Sequence, residues 1–240
     1  GTYTYYAWAN DTAGLSGESE VRTLNVGEAP AQCPEGMVAY WKFDEGNGTT
    51  AYDSVDENHG ILVNGPTWTT GKIGKALQFD GVDDYVEKIN TSILKQLPLT
   101  ISAWVKPALR TDGTDFPNNV ISNDKPGYHG HGFGLNVWST GSQLKIEVEN
   151  NFRVVPNISF SADTWYYISV VYTPGNVKTY VNGVLVDDFS FSQSSLDAGD
   201  YVWIGKHNND INYYGTRRFF KGLIDELAIF NRSLSAEEVQ

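Results

Sequence analysis

Residues 37–86 read MVAYWKFDEGNGTTAYDSVDENHGILVNGPTWTTGKIGKALQFDGVDDYV, and the punctuation of this stretch decides the fold class. Val38–Phe43 is an apolar, aromatic, strand-like run. Two acidic, Gly/Asn-rich turns follow, Asp44–Gly48 and Asp53–Gly60, and the stretch closes on a further strand pair, Ala76–Phe79 and Tyr85–Glu87. Gly, Asn and Asp supply the positive φ and the local hydrogen bonds that tight turns need, so short β-rich runs between them read as antiparallel strands.

The same punctuation continues outward. Leu99–Lys106 sets Ile101, Ala103 and Val105 against Ser102, Trp104 and Lys106, the period of two that gives a strand one core face. Trp104 is also expected to pack, so that its truncation would open a core cavity. Thr111–Asn119 and Asn123–Gly132 read as polar loops, and Phe133–Trp138, Leu144–Glu149, Trp165–Tyr172, Tyr201–Gly205 and Leu223–Phe230 as strands. In Val177–Val181, Asn182-Gly183, Val184–Asp187 the Asn-Gly pair predicts a two-residue hairpin, because both central residues need positive φ. Ser235 and Glu238 fit a capping box for a short C-terminal helix. Strands at this spacing predict an all-β fold, a two-sheet antiparallel sandwich.

Upstream, residues 1–26 read as two strands, Tyr3–Ala9 and Glu20–Val26, a short N-terminal hairpin, and residues 27–36 (GEAPAQCPEG) have linker composition. The chain starts mid-pattern at Gly1, as expected of an excised fragment.

Composition excludes several function classes. A net charge of −12 without a basic stripe disfavours nucleic acid and anionic membrane surfaces. No apolar run approaches the roughly 20 residues of a membrane-spanning helix. Cys33 is the only cysteine, so neither an internal disulfide nor a Cys-based zinc site can form. Asn-x-Ser/Thr triplets at Asn10, Asn47, Asn90, Asn157 and Asn231 fit an exported, extracellular or cell-surface glycoprotein.

The string YWKFDEGNGTTAYDS…NHGILVNGPTW…GKIGKALQFDGVDDYV resembles the opening of a laminin-G-like jelly-roll domain of the concanavalin A-like lectin/glucanase superfamily, and GLIDELAIFNRSLSAEEV resembles its close. Together the matches span about residues 37–240. TYTYYAWANDTAGLSGESEVRTLNV resembles the last strands of an immunoglobulin-like or fibronectin-type domain. The jelly-roll resemblance implies that the first and last strands lie side by side and flank a structural calcium. It carries over Asp44 and Asp225 as carboxylate ligands, with carbonyls around Asn58–Gly60 completing the shell. Calcium takes six to eight such oxygens; the plainer alternative is that both Asp residues cap turns. Asp80, Asp83 and Asp84 match the family pattern too, and are read as turn formers.

Glu147 and Glu149, two apart on a strand, would share one face at a spacing near the roughly 5 Å of a retaining glycosidase pair. The next same-face position holds Asn151, and the pair Asn150-Asn151 reads as a strand break, so a solvent-facing strand edge is the favoured reading and no residue is assigned as catalytic. His129 and His131 flank Gly130 without the further ligands a zinc site requires. The loops Thr111–Gly132 and His207–Arg218 concentrate Tyr128, His129, His131, Tyr213, Tyr214 and Arg217, with Trp138 on an adjoining strand. Aromatic faces and polar groups on loops of a rigid scaffold suit a sugar ligand. The expected function is a non-catalytic adhesion module binding a glycan or cell-surface glycoprotein; the alternatives are a protein receptor and a glycoside hydrolase or lyase.

Overall fold

The structure, a computed structural model, describes residues 2–5, 8–10, 16–18, 22–25, 34–89, 92–109, 117–123, 132–138, 140–149, 151–193, 195–207 and 219–239. The chain divides into two compact units, Gly1–Glu35 and Gly36–Gln240. In the smaller unit β1 (Thr2–Tyr5) pairs antiparallel with β4 (Arg22–Asn25), and β2 (Trp8–Asn10) with β3 (Ser16–Glu18). Within the expected strand Tyr3–Ala9, the described residues 3–5 pair with β4 and residues 8–9 with β3.

The larger unit is a sandwich of two antiparallel eight-stranded sheets. Its strands are β5 (Met37–Trp41), β6 (Thr50–Ala51), β7 (Gly60–Val63), β8 (Thr67–Thr70), β9 (Lys75–Asp80), β10 (Tyr85–Ile89), β11 (Leu99–Pro107) and β12 (Pro117–Ser122). There follow β13 (Phe133–Trp138), β14 (Leu144–Val148), β15 (Asn151–Val155), β16 (Tyr166–Thr173), β17 (Asn176–Val181), β18 (Val184–Ser190), β19 (Tyr201–Ile204) and β20 (Lys221–Phe230). A 3₁₀ turn covers Ser92–Lys95. The first sheet runs β18-β17-β16-β11-β20-β9-β8, with β5 also on β20; the second runs β15-β14-β13-β12-β19-β10-β7-β6.

The inward side chains of both sheets make one core, in which Trp41, Phe43, Phe79, Phe133, Tyr172 and Phe220 are the largest fully buried. Ile101, Ala103 and Val105 face it, as the alternation of β11 requires. The first and last strands of the sandwich do pair, Trp41 opposite Leu227 and Ala39 opposite Ile229. Asn182 and Gly183 both take positive φ, +51° and +78°, and the predicted hairpin forms between Val181 and Val184.

Four expectations are corrected. Ala76–Phe79 and Tyr85–Glu87 are not a pair: β9 lies in the first sheet and β10 in the second, so the Gly81–Asp84 turn carries the chain from one layer to the other. The capping box forms, with Ser235 N–H donating to Glu238 Oε2 at 2.8 Å and Glu238 N–H to Ser235 Oγ at 3.4 Å, but residues 236–239 make a turn and no helix follows. That turn still packs, because Leu234 and Val239 cover Val171, Tyr180 and Phe230 on the outer face of the first sheet. Trp104 also faces outward, half-buried against Tyr167 (ring centroids 5.3 Å apart) with Lys72 Nζ 4.6 Å above its ring, so its truncation opens no core cavity. Finally, the polar stretch Thr111–Asn119 ends inside β12, whose Asn118 and Asn119 are buried.

Candidate functional site

Two arrangements of buried charge among the described residues are candidates for a site. The first lies on the outer face of the second sheet. Along β14, Leu144, Ile146 and Val148 point into the core, so Lys145 and Glu147 point out. Register then assembles a row across the sheet: Phe152 opposite Glu147, Glu147 opposite Gly134, Gly134 opposite Ser122, Ser122 opposite Trp203, and Trp203 opposite Glu87. A parallel row runs Val154, Lys145, Asn136, Asn119.

Most of this face is buried despite its polarity. Glu147 is 5% exposed, His207 2%, and Asn119, Ser122 and Asn136 0%. Glu147 Oε2 lies 2.9 Å from His207 Nε2, and Lys145 Nζ donates to Oε1 at 2.8 Å. Burial by itself would raise the Glu147 carboxyl, but the hydrogen bond and charge of His207, together with Lys145, outweigh it and hold the group well below the usual carboxylate range. Gly134 leaves room for this carboxylate, since a Cβ there would sit 3.0 Å from Glu147 Oε2. Ser122 Oγ donates to the Lys206 carbonyl at 3.0 Å. Asn136 Oδ1 and Nδ2, Asn119 Oδ1 and Trp138 Nε1 are buried atoms with no hydrogen-bond partner. Native interiors leave few such atoms, because each lost hydrogen bond to water costs about 1–3 kcal/mol.

The favoured reading of Glu147 and Glu149, a solvent-facing strand edge, is corrected here, and the alternative of a carboxylate pair on one face fails on geometry too. Glu147 is not on a solvent-facing edge: β14 has β13 on one side and β15 on the other. Glu149 lies past the end of β14 with φ +43°, directly after Val148, whose cross-strand partner is Asn151. It therefore leaves the face that Glu147 shares, and its Oε1 accepts the N–H groups of Gly132 (2.8 Å) and Asp197 (2.6 Å).

The second arrangement is a clamp on the turn between β8 and β9. Asp225 Oδ2 accepts the N–H of Lys72 at 2.8 Å and of Ile73 at 3.0 Å, and Asp44 Oδ1 accepts the N–H of Lys75 at 2.8 Å. The two glycines of Gly71-Lys72-Ile73-Gly74 are required by this approach. A Cβ at Gly71 would meet Asp225 Oδ2 at 2.6 Å, and one at Gly74, where φ is +58°, would meet Asp44 Oδ1 at 2.1 Å. Asp225 is fully buried and its Oδ1 has no partner. Burial, reinforced by the negative charge of Asp44 and opposed by the backbone N–H donors, pushes its pKa up to about 6. The turn-capping role of both Asp residues is thus direct. Asn58 and Gly60 do not join them: Asn58 carbonyl accepts Trp41 Nε1–H at 2.9 Å and its amide donates to Val38 carbonyl and Asp53, while Gly60 sits in the opposite sheet.

Asp80, Asp83 and Asp84 bring carboxylate oxygens within 4.8 Å of one another, the one such group of three among the described residues. They build the crossover turn: Asp80 Oδ1 accepts the N–H of Val82 and Asp83, and Asp84 Oδ2 that of Asp80. Of the loop residues named from the sequence, Tyr128, His129, His131, Tyr213, Tyr214 and Arg217 lie outside the described residues; Trp138, half-buried, falls on the same strand face as Asn136. Sequence reasoning passed over Asn119, Asn136 and His207 as site residues.

Comparison with known proteins supports the architecture. The Laminin_G_3 family profile, described as concanavalin A-like lectin/glucanases superfamily, matches residues 80–240. Among solved structures, domain 4 of AbnA, a GH43 extracellular arabinanase from Geobacillus stearothermophilus in complex with arabinotriose, is similar at TM-score 0.65 and 22% identity over 85% of this chain and 96% of that one. Trypanosoma rangeli sialidase in complex with sialic acid matches at TM-score 0.65 and 14% identity, over 85% of this chain and 32% of its own. The botulinum neurotoxin serotype G binding domain matches at TM-score 0.62 and 15% identity, over 85% and 49%. This chain thus spans about a third of the sialidase and half of the toxin domain. No curated protein matches by sequence. With a two-sheet sandwich and a family profile that covers most of it, the chain belongs to the Laminin_G_3 family of the concanavalin A-like lectin/glucanase superfamily.

Proposed function

We propose that the larger unit is a non-catalytic carbohydrate-binding module of an exported protein, with its ligand seated on the outer face of the second sheet. The observation that carries this reading is the set of unpartnered amide and indole groups, Asn119, Asn136 and Trp138, beside the Glu147–His207–Lys145 cluster. Buried polar groups without partners are where a polyhydroxylated ligand gains hydrogen bonds without giving up others. Neighbours of the same fold were solved with arabinotriose and with sialic acid, which supports the ligand class.

The non-catalytic part rests on the carboxylates. A glycosidase acid needs a raised pKa and a partner carboxylate across the scissile bond. Glu147 is shifted the opposite way, and Glu149 is spent on backbone N–H groups. A glycan array probed with the full chain is expected to return neutral or acidic glycans at micromolar to millimolar dissociation constants, about −8 to −4 kcal/mol. Incubation with β-glucans, galactans and sialosides should release no product; turnover that disappears in Glu147→Gln would overturn the proposal. A protein receptor is the second reading, favoured by exposed Phe152 and Val154 on edge strand β15 and Val184 and Leu185 on edge strand β18.

The clamp suits a structural calcium, since the unpartnered Asp225 Oδ1 and the adjacent Asp44 charge are hard oxygen donors. The pH dependence gives a test. Without a cation, Asp225 holds its proton more tightly folded than unfolded, so its contribution makes the protein less stable as pH rises through about 6. A shift of about two units corresponds to up to ~3 kcal/mol. In chelator, wild type should gain melting temperature relative to Asp225→Asn on going from pH 7.5 to 5; added calcium should raise the wild-type value at pH 7.5 and leave the variant unmoved. No response to calcium in either protein would remove the ion from the proposal.

A further inference from the structure

The two sheets end in four outer strands, and one of these lacks the features that keep an open edge from pairing. An edge strand presents backbone N–H and C=O groups that another strand can take up; short length, charge, proline or a bulge prevents it. β6 is two residues long, and β8 four, with Pro66 before it and Trp68 packed on the core. β18 carries Asp187 and Asp188, and its register with β17 shifts between Thr179 and Tyr180. β15 keeps an unbroken register with β14 and contains neither proline nor lysine. Its one charge, Arg153, is bidentate to Asp187 at 2.8 and 3.1 Å. Phe152, at 69%, is the most exposed large apolar side chain among the described residues, and Val154 is 39% exposed. Both stand on the side of the strand opposite the buried Val155. We infer that β15 is a self-association surface. Two copies of this chain pair there antiparallel about a two-fold axis through Arg153, Phe152 of each against Val154 of the other.

The charge pattern behind the edge selects a second copy as the occupant and sets the register. On β14, Glu147 stands opposite Phe152 and Lys145 opposite Val154. Each row across the junction then reads Glu147, Phe152, followed by Val154 and Lys145 of the second copy. Every row has an apolar centre with an acid at one end and a base at the other, and the two-fold repeats it with the ends exchanged. Sliding the strands by two residues breaks this match in either direction. Phe152 against Phe152 gives a row ended by two acids, and Val154 against Val154 a row ended by two bases. Like charges in one row oppose association, acids the more so in a chain of net charge −12. A slip of one residue sets Phe152 against the inward side of the strand, beside Arg153. In the matched register the two Arg153 side chains meet at the axis, each neutralised by its own Asp187, whose side chain is 5% exposed. Lys145 Nζ, 4.4 Å above the Phe152 ring, holds that ring over its row. Pairing covers Phe152 and Val154 of both copies and gives the open ladder of β15 its partners.

Sedimentation equilibrium of the full chain, from about 1 μM to about 1 mM, spans the range of weak association. Wild type should show a concentration-dependent equilibrium between monomer and dimer. Phe152→Lys and Val154→Glu each place a charge opposite one of the other sign on β14, Glu147 and Lys145, so both should melt close to wild type. Each alone should weaken self-association about tenfold or more, because a charge then faces an apolar side chain at both symmetric positions. Mixed in equal amounts, the two variants should associate more tightly than either does alone. In the mixed dimer the new lysine of one copy faces the new glutamate of the other, and the second row keeps its Phe152–Val154 contact. If a charged variant does not fold, Phe152→Ser and Val154→Ser replace the pair, and each should weaken association in the same comparison. A wild type that stays monomeric at the highest concentration overturns the inference, as does a dimer that neither substitution weakens. A mixture no tighter than the single variants overturns it too. The carbohydrate reading stands or falls separately, on the glycan array.

Discussion

A chain cut after Phe220 is expected to show no cooperative thermal transition in its larger unit. The missing segment contains β20, the longest strand, which lies inside the first sheet with β11 along one side. Its other side is shared: Lys221–Ile224 pair with β9, and Leu227–Phe230 with β5. Between these two halves Glu226 takes φ +51°, a bulge that changes partner and turns Asp225 outward onto the Gly71–Gly74 turn. Deletion therefore unpairs three strands and releases the turn that joins β8 to β9. The cut also removes Ile224, Leu227, Ile229, Phe230, Leu234 and Val239 from buried positions. At roughly 1.5–3 kcal/mol for each fully buried aliphatic or aromatic side chain, that loss alone matches the 5–15 kcal/mol by which domains are stable. Calorimetry and near-ultraviolet circular dichroism decide the point. A retained sharp transition with native aromatic dichroism would mean that the sandwich closes without its last strand.

The fold was legible because its signals are local. Asn182-Gly183 between β-branched runs specifies a hairpin by backbone sterics alone, and the alternation of Leu99–Lys106 places its inward face without reference to any other strand. Layer membership is not local. Gly81–Asp84 has the composition of a hairpin turn, yet it sends β10 into the opposite sheet, and only the pairing of β10 with β7 and β19 reveals this.

The candidate site was legible in part. The alternation in Leu144–Val148 and Phe133–Trp138 shows that Lys145, Glu147, Asn136 and Trp138 share the non-core side of their strands. It does not show that this side is buried. Nor could spacing reveal His207 beside Glu147, since 60 residues separate them and the contact depends on β12, β13 and β19 lying in order. The same-face argument for Glu149 assumed an extended backbone through the residue; its positive φ breaks the period of two at the position where the argument needed it.

Replacing Glu147 by Gln is expected to destabilise the larger unit by about 3–5 kcal/mol at pH 7, the cost of leaving buried charge without its partner. The Lys145 side chain is only 14% exposed and loses its carboxylate, while His207, at 1%, keeps a neutral acceptor in place of an anion. The pH dependence separates this from a simple packing defect. The Glu147 carboxyl is held below its unfolded value of about 4.5, so the folded protein binds its proton more weakly than the unfolded chain does. Its contribution is therefore complete above that value and is lost as pH falls below it. This window lies below that of Asp225, and the sign is opposite. Denaturant titrations of wild type and Glu147→Gln should thus differ most near pH 7 and converge towards pH 3. A gap that stays constant with pH would assign the loss to shape. As a further control, the triple variant Glu147→Leu, Lys145→Met, His207→Leu should recover much of the loss, because an apolar cluster needs no ion pairing. Recovered stability without recovered sugar binding would separate what this cluster does for the fold from what it does for the ligand.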